Sequence, residues 1–313
     1  MTDLTMELFG SNWLSIMATG FFVGTIVGLT GMGGGSLMTP LLIIVVGIKP
    51  VTAVGTDLAY GAITKTVGGW RHFRHGTVDS SLSTWMAFGS VPSAIGGVYV
   101  LHAIQDAYGR EFDDFMLTAV AIALLFTGFA VLGRSMFLPK LIDKEKDRVE
   151  MTTRNKIAAM GLGVFVGFIL GMTSAGSGSL IAVGLILLFR LAPKEVVATD
   201  VFHAAILLWA AAAAHLVSGN VDWSLMVNIL IGSLPGVWIG SHLVTRVQVS
   251  TLRTALAIVL VGSGLGLLSK AGVAVPNAVL AAVPLTLVVA VVLQERHRAK
   301  DRAAAAVPAP SGR

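Results

Sequence analysis

Residues 31–36 read Gly-Met-Gly-Gly-Gly-Ser, and residues 174–179 read Ser-Ala-Gly-Ser-Gly-Ser. Each stretch interrupts a long apolar segment, and the second begins 143 positions after the first. Glycine is a poor helix former, and non-helical backbone inside a membrane is tolerated only where it is buried in protein or lines a wet cavity. The two stretches therefore predict a pair of broken helices at equivalent places in two related units.

An internal repeat supports this interpretation. Residues 22–100 align with residues 165–243 without a gap, and 28 of the 79 aligned positions are identical. The match includes rare residues, which chance agreement between apolar segments does not explain. These pairs are Pro50 with Pro193, Thr56-Asp57 with Thr199-Asp200, Asp79 with Asp222, and Gly89-Ser90 with Gly232-Ser233.

The composition places both units in a membrane. Hydrophobic residues make up 55% of the 313 residues and charged residues only 12%, about half of what a soluble domain carries. Nine apolar runs are long enough to span a bilayer, and the alternating ten-residue strands of a β-barrel are absent. The runs are 13–30, 51–69, 81–101, 113–133, 157–173, 195–216, 223–243, 250–269 and 275–293, with two shorter runs at 36–46 and 180–191.

The charges are concentrated outside these runs. Of the 39 charged residues, 18 lie in residues 134–156 and 295–313, so the net charge of +5 does not indicate a nucleic-acid partner. The absence of cysteine excludes disulfides, thiolate metal sites and cysteine nucleophiles. No motif predicts a cofactor, and the N-terminus lacks the positive charge of a signal peptide.

The distribution of Lys and Arg predicts how the units are oriented. Basic loops remain cytoplasmic, which places residues 134–156 inside. The loop at 70–80 has Arg71 and Arg74, whereas its equivalent at 217–222 has no basic residue. Equivalent loops therefore face opposite sides, as in the inverted repeats of secondary transporters. We expect the N-terminus outside, the C-terminus inside, and each broken segment to enter and leave the membrane on one side.

The predicted fold is an all-α polytopic membrane protein with two inverted repeats, Gly/Ser-broken helical hairpins and one extra C-terminal helix. Its predicted segments are a short N-terminal segment 1–12, a first repeat 13–133, a charged cytoplasmic loop 134–156, a second repeat 157–269, an extra helix 270–293 and a disordered basic tail 294–313.

The glycine-rich breaks predict an anion site. Each break frees backbone N–H groups and opens a new helix, whose N-terminus attracts anions. Close helix packing is the alternative, and it explains the small-residue spacing of Gly20, Gly24 and Gly28 and of Gly163, Gly167 and Gly171. For the breaks we favour a substrate site near the bilayer centre, formed by Gly33, Gly34, Gly35, Ser36, Gly176, Ser177, Gly178 and Ser179, with Thr56 and Thr199.

Charged residues inside the apolar runs indicate function, because a charge in hydrocarbon is costly unless it is paired, neutralised or hydrated. Asp57 and Asp200 each lie seven residues after a proline, roughly 10 Å into a helix. Tyr60 and His203 follow them by three residues. Lys65 either snorkels to the interface or neutralises Asp57 or a bound anion. We expect Asp200, beside His203, to carry a proton and Asp57 to be a fixed charge.

The chain resembles a known transporter family. The motif Gly31-Met32-Gly33-Gly34-Gly35-Ser36 with Pro40, followed by Thr56-Asp57 and Gly76-Thr77-Val78-Asp79, is similar to that of the sulfite exporter TauE/SafE family. The similarity covers residues 13–293. It implies a multi-pass carrier in the bacterial cell (inner) membrane that moves small sulfur-containing or organic anions such as sulfite or sulfoacetate.

Two other functions compete with export of a small anion. A cation or metal carrier would use Asp57, Asp200 and His203. An intramembrane serine hydrolase would use Ser177 or Ser179 as nucleophile and His203 or His215 as base. We favour the transporter, with no catalytic residues and no bound metal, because the inverted repeat is typical of secondary transporters. A hydrolase needs no internal duplication, and Ser36 in the other half has no obvious histidine base. Since no ATP-binding signature is present, we expect an ion or electrochemical gradient to drive transport. Its expected partners are the lipid bilayer, the substrate anion and protons as the coupling ion. The sequence does not decide whether the protein forms a homo-oligomer.

Overall fold

A computed structural model describes residues 13–30, 35–137, 146–243 and 249–290. The predicted N-terminal segment 1–12, the tail 294–313, most of the first break and part of the charged loop lie outside these residues. The described residues form eleven α-helices and no β-strand. They are α1 (Trp13–Thr30), α2 (Gly35–Leu41), α3 (Pro50–Arg74), α4 (Ser80–Tyr108), α5 (Phe112–Phe137), α6 (Thr153–Thr173), α7 (Leu180–Phe189), α8 (Pro193–Val217), α9 (Trp223–Leu243), α10 (Val249–Lys270) and α11 (Asn277–Ala290).

The all-helical membrane fold is confirmed. Among the described helices, five are long and apolar enough to cross a bilayer: Ser80–Tyr108, Phe112–Gly133, Thr153–Thr173, Pro193–Val217 and Trp223–Leu243. Helix α3 has 25 residues, the same length as α8, but its polar and charged residues exclude it from this set. Large apolar side chains such as Phe22, Tyr99 and Trp238 are exposed, as expected for surfaces that face lipid.

The second break occurs where the sequence predicts it. Helix α6 ends at Thr173, Ser174 takes a left-handed backbone conformation with φ 58°, and α7 begins at Leu180. Gly176 and Gly178 have φ of 102° and 108°, which favour glycine. In the first half, α1 ends at Thr30 and α2 begins at Gly35, while Gly33 and Gly34 lie outside the described residues.

Helix starts follow local sequence signals. Pro50 and Pro193 occupy the first turns of α3 and α8, where the missing N–H costs nothing. Asp79 accepts a 3.0 Å hydrogen bond from the Leu82 N–H, and Asp222 accepts one of 2.9 Å from the Leu225 N–H. These two aspartates cap α4 and α9, as their positions just before apolar runs predict.

The two halves pack reciprocally. Glycines of α1 lie directly against the backbone of α9, and the equivalent glycines of α6 lie against the backbone of α4, so that an added Cβ would overlap main-chain atoms. The packing explanation for these glycines is confirmed. Each contact between α1 and α9 has an equivalent between α6 and α4. Adding 143 to the residue number in α1 and subtracting 143 from the number in α9 gives that equivalent pair. The pairs are Gly20–Ile229 with Gly163–Met86, Gly24–Ser233 with Gly167–Ser90, and Gly28–Val237 with Gly171–Ala94.

Helices α5 and α10 repeat this pattern. Gly128 lies against Ala257 and Val261, and Gly264 lies against Ala121 and Leu125. A two-fold axis between homologous halves produces reciprocal contacts of this kind. The direction of that axis relative to a bilayer, and therefore the inverted topology, stays a prediction.

Both ends of the second broken hairpin lie side by side. The Lys146 N–H donates to the Arg190 carbonyl at 3.0 Å, and the Ala192 N–H donates to the Lys146 carbonyl at 2.9 Å. Asn155, near the start of α6, lines the same cavity as Arg190 at the end of α7. The chain thus runs through α6, the break and α7 and returns to where it began.

Candidate functional site

Helices α3 and α8 carry the buried polar residues that the sequence singles out. Asp57, Lys65, Asp200 and His203 are all at least 95% buried. Because α3 and α8 contact each other and α8 also packs on α4, these side chains lie within the protein and not on its lipid-facing surface. Burial of this kind requires partners for each polar group.

Asp57 joins the two broken segments. Its Oδ2 atom accepts a 2.7 Å hydrogen bond from the Thr39 hydroxyl and another 2.7 Å bond from the Ser174 hydroxyl. Thr39 belongs to α2, directly after the first break, and Ser174 is the first residue of the second break. One carboxylate oxygen therefore links the helix that follows the first break to the start of the second break.

Thr39 and Ser174 were not among the site residues that the sequence predicts. In the repeat, their equivalents are Ala182 and Gly31, which have no hydroxyl groups. The pair of bonds that holds Asp57 thus has no counterpart at the aligned positions around Asp200. Although the two aspartates align, the protein surrounds them with different chemistry.

Lys65 is the buried cation of this region. Its side chain is 5% exposed, and its Nζ atom has no hydrogen-bond partner within the described part of the chain. The charged groups that act on it are Asp200 first and then Asp57. Of the two alternatives left by the sequence, snorkelling to the interface is wrong, since the ammonium group is enclosed.

Tyr60 and His203 occupy equivalent positions and bind equivalent serines. The Tyr60 hydroxyl interacts with Ser233, and His203 Nε2 lies 3.2 Å from the Ser90 hydroxyl. His203 Nδ1 lies 3.2 Å from the Ser83 carbonyl, which can only accept, so Nδ1 carries the proton. Both ring nitrogens of His203 thus bind α4, although the sequence suggested that His203 would act beside Asp200.

Thr56 and Thr199 connect the halves. The Thr56 hydroxyl accepts a 3.0 Å bond from the Asp222 N–H, and the Thr199 hydroxyl accepts a 3.0 Å bond from the Asp79 N–H. The two bonds are reciprocal under the repeat. The sequence assigns both threonines to the substrate site, and in the structure both hydroxyls accept from main-chain N–H groups of the other half.

The serines of the second break have unused hydroxyls. Ser177 and Ser179 are at least 95% buried, and neither Oγ atom has a hydrogen-bond partner among the described residues. Ser179 precedes the first residue of α7 but does not cap it through its side chain. In the first half Gly35 opens α2, while the Ser36 side chain lies outside the described residues.

The two histidines proposed as bases for a hydrolase are bonded to groups other than the serines of the second break. His203 binds α4, and His215 Nε2 lies 2.8 Å from the Gly171 carbonyl, so neither ring is bonded to Ser177 or Ser179. Within the described ranges, no group of three or more His, Cys, Asp or Glu side chains is arranged to hold a metal ion.

Comparison with known proteins identifies the family. The family model described as Sulfite exporter TauE/SafE matches residues 16–267, which include both halves and both breaks. The chain belongs to the sulfite exporter TauE/SafE family. Membership agrees with the resemblance of the first break and its trailing Pro40, and it makes the protein a multi-pass membrane transporter.

Relatives in the TauE/SafE family are bacterial, archaeal and plant proteins. The "Probable membrane transporter protein YjnA" of Bacillus subtilis (strain 168) is 39% identical over 255 residues, which cover 82% of this chain and 99% of the relative. "Probable membrane transporter protein YdhB" of the same organism is 28% identical over 79% of this chain and 97% of the relative. "Sulfite exporter TauE/SafE family protein 3" of Arabidopsis thaliana is 29% identical over 37% of this chain and 25% of its own length. No solved structure matches the chain.

Proposed function

We propose that this transporter exports small anions, either sulfite or an organosulfonate or organic acid, through a site built from its two broken helices. Family membership supports transport across a membrane, and the family description supports a sulfur oxyanion as the substrate class. Because the chain carries no ATP-binding motif, an ion or electrochemical gradient supplies the energy.

One observation carries the anion assignment. Lys65 is a buried ammonium group with no hydrogen-bond partner in the described part of the chain. A buried cation without hydrogen bonds is costly, and an anion supplies the missing acceptors. Asp57 is one of the charges that act on Lys65 and is itself bonded to Ser174 of the second break, which supports a site shared by the cation and the broken backbone.

The second break adds neutral donors to this region. The buried hydroxyls of Ser177 and Ser179 have no partner within the described residues, and they directly precede the N-terminus of α7, a ten-residue helix. Hydroxyl groups and a helix N-terminus stabilise an anion without adding full positive charge.

The charge balance favours proton coupling. When all three groups are ionised, Asp57, Asp200 and Lys65 together carry one net negative charge, which repels an entering anion. Protonation of one carboxyl removes that repulsion. We assign the proton to Asp200 and the fixed charge to Asp57, whose Oδ2 atom is held by the hydroxyl groups of Thr39 and Ser174.

A flux assay tests the proposed function. Purified protein in liposomes should release preloaded sulfite or sulfoacetate down an imposed gradient, and empty liposomes provide the baseline. Entry of a divalent metal ion without anion flux would contradict the proposal and favour the cation carrier.

The Asp200→Asn variant should lose the pH dependence of anion flux. Wild-type flux should rise as the pH falls on the side from which the anion enters, since a protonated Asp200 no longer repels it. Asparagine is neutral at every pH, so the variant should transport at a rate that varies less than about twofold between pH 6 and 8. Glu195→Gln, which removes a partly exposed carboxylate from the first turn of the same helix, is the control. An Asp200→Asn profile that parallels the wild type would contradict this assignment.

Orientation in the membrane is a further part of the proposal. Residues 134–156 and the C-terminus should be cytoplasmic, and the N-terminus and residues 217–222 should be extracellular. Single cysteines can be introduced into this cysteine-free chain. A cysteine at position 220 should react with impermeant maleimide in intact cells, and one at position 150 should not. The opposite labelling pattern would reverse the topology.

A further inference from the structure

A cavity of about 370 Å³ lies between the charged loop, the start of α6 and the end of α7. It is separate from the buried polar residues of α3 and α8, and neither the repeat nor the anion site explains it. Its lining combines two cations, one amide and three apolar side chains. The residues are Lys146, Val149, Asn155, Leu188, Phe189 and Arg190.

Main-chain hydrogen bonds place the two cations. Two bonds, from the Lys146 N–H to the Arg190 carbonyl and from the Ala192 N–H to the Lys146 carbonyl, pair the loop with the end of α7. Arg190 ends α7 in a left-handed conformation with φ 54°, a position where glycine is usually preferred. The backbone thus holds two like charges at one cavity, in a geometry that an arginine adopts only at some cost.

Within the described residues, neither cation is neutralised by another side chain. In the ranges that the structure describes, no side-chain hydrogen bond or ion pair is recorded for Lys146 or Arg190, and no acidic residue lines the cavity. The described residues of the surrounding elements, 146–156 and 190–195, include six Lys and Arg against three Asp and Glu. The acidic residues are Asp147, Glu150 and Glu195. The cavity therefore lies in a positive field that suits an anionic ligand.

One side of the cavity is apolar and exposed. Leu188 is 54% exposed and its neighbour Leu187 is 56% exposed, so the end of α7 presents apolar surface next to Arg190. On α6, the Lys156 ammonium group lies 4.9 Å from the centre of the Trp85 ring. Lys and Trp pairs of this kind are typical of the membrane–water interface. The ligand should therefore have both a charged group and an apolar part.

We propose that this cavity binds the phosphate group of an anionic phospholipid from the leaflet on the side of the charged loop. Basic pockets between membrane helices on the cytoplasmic side bind such headgroups. Lys146 and Arg190 would hold the phosphate oxygens, Asn155 the polar part of the headgroup, and Leu188 would lie along an acyl chain. Inorganic phosphate shares the charge but not the chain.

Native mass spectrometry of the detergent-solubilised protein tests this site. Phosphatidylglycerol should be retained at a defined stoichiometry, and phosphatidylcholine with the same acyl chains should bind at least tenfold more weakly. The Lys146→Gln/Arg190→Gly double variant should lose tenfold or more in affinity for phosphatidylglycerol. Glycine at position 190 accepts the observed φ, so the fold is kept while the charge is removed. Lys194→Gln removes an exposed charge from the same region and should change nothing.

Three results would overturn the assignment. Equal binding of both lipids would mean that only the apolar surface is recognised. Full displacement of phosphatidylglycerol by millimolar inorganic phosphate would make the cavity a site for a soluble anion. Unchanged affinity in the double variant would place the lipid elsewhere. If the double variant does not fold, Lys146→Glu alone should weaken phosphatidylglycerol binding, because it reverses one charge without altering α7.

Discussion

Replacing Lys65 with methionine should reduce anion flux in liposomes by roughly 100-fold. The ammonium group is buried and has no hydrogen-bond partner in the described part of the chain. A charge-assisted hydrogen bond to a bound anion contributes about 1.5–3 kcal/mol, and every 1.4 kcal/mol is a factor of ten in affinity. Methionine keeps the length and apolar stem of the side chain, so packing against the neighbouring helices changes little.

Two controls separate loss of the anion site from loss of the fold. Removing one member of a buried charge cluster destabilises a protein, because the others are left uncompensated. The Lys65→Met/Asp200→Asn double variant relieves that imbalance and should fold, yet it should still not transport. Lys49→Met removes an exposed charge just before the same helix and should keep wild-type flux. A Lys65→Met protein whose flux stays within threefold of the wild type would contradict the anion site.

The Asp57→Ala variant should unfold at a clearly lower temperature than the Asp57→Asn variant. Alanine leaves the hydroxyls of Thr39 and Ser174 without an acceptor, and each buried unsatisfied group costs about 1–3 kcal/mol. In asparagine the amide oxygen can replace Oδ2, which accepts both bonds, while the amide NH2 takes the place of Oδ1, a buried atom without a hydrogen-bond partner among the described residues. Asparagine thus keeps both hydroxyl bonds, which alanine loses. Tryptophan fluorescence during heating measures the difference, since the chain has six tryptophans.

Single substitutions of the two hydroxyl residues complete this test. Thr39→Val and Ser174→Ala each remove one bond, so each should lower the unfolding temperature by less than Asp57→Ala does. If Asp57→Ala is as stable as Asp57→Asn, the carboxylate does not hold α2 and the second break together.

The repeat predicted much of the architecture. The sequence predicts local features of the helices because these depend on nearby residues. Examples are the helix starts at Pro50 and Pro193 and the helix caps at Asp79 and Asp222. The second break is predictable for the same reason, since Gly176 and Gly178 adopt positive φ angles that other residues avoid. Reciprocal packing of the two halves follows from the repeat, because equivalent surfaces make equivalent contacts.

The sequence predicts the candidate site only in part. Asp57, Asp200 and Lys65 were conspicuous as charges in apolar runs, but Thr39 looked like any other small residue of α2. The serines next to Tyr60 and His203 could have been found from the repeat, because Ser90 and Ser233 occupy aligned positions and are identical. His203 was placed on the same helical face as Asp200, yet its ring turns to α4, where a carbonyl and a hydroxyl are available.

The sequence by itself determined the helical membrane fold, the two related halves and the positions of the breaks, because hydropathy, helix termination and repetition act over short stretches of chain. Only the tertiary structure decided which buried polar groups have partners. Asp57 is bonded to residues 18 and 117 positions away, while Lys65 on the same helix has no bonded partner among the described residues. Those outcomes depend on how helices distant in the sequence cross, and a buried polar group takes its partners from whichever helices pack against it.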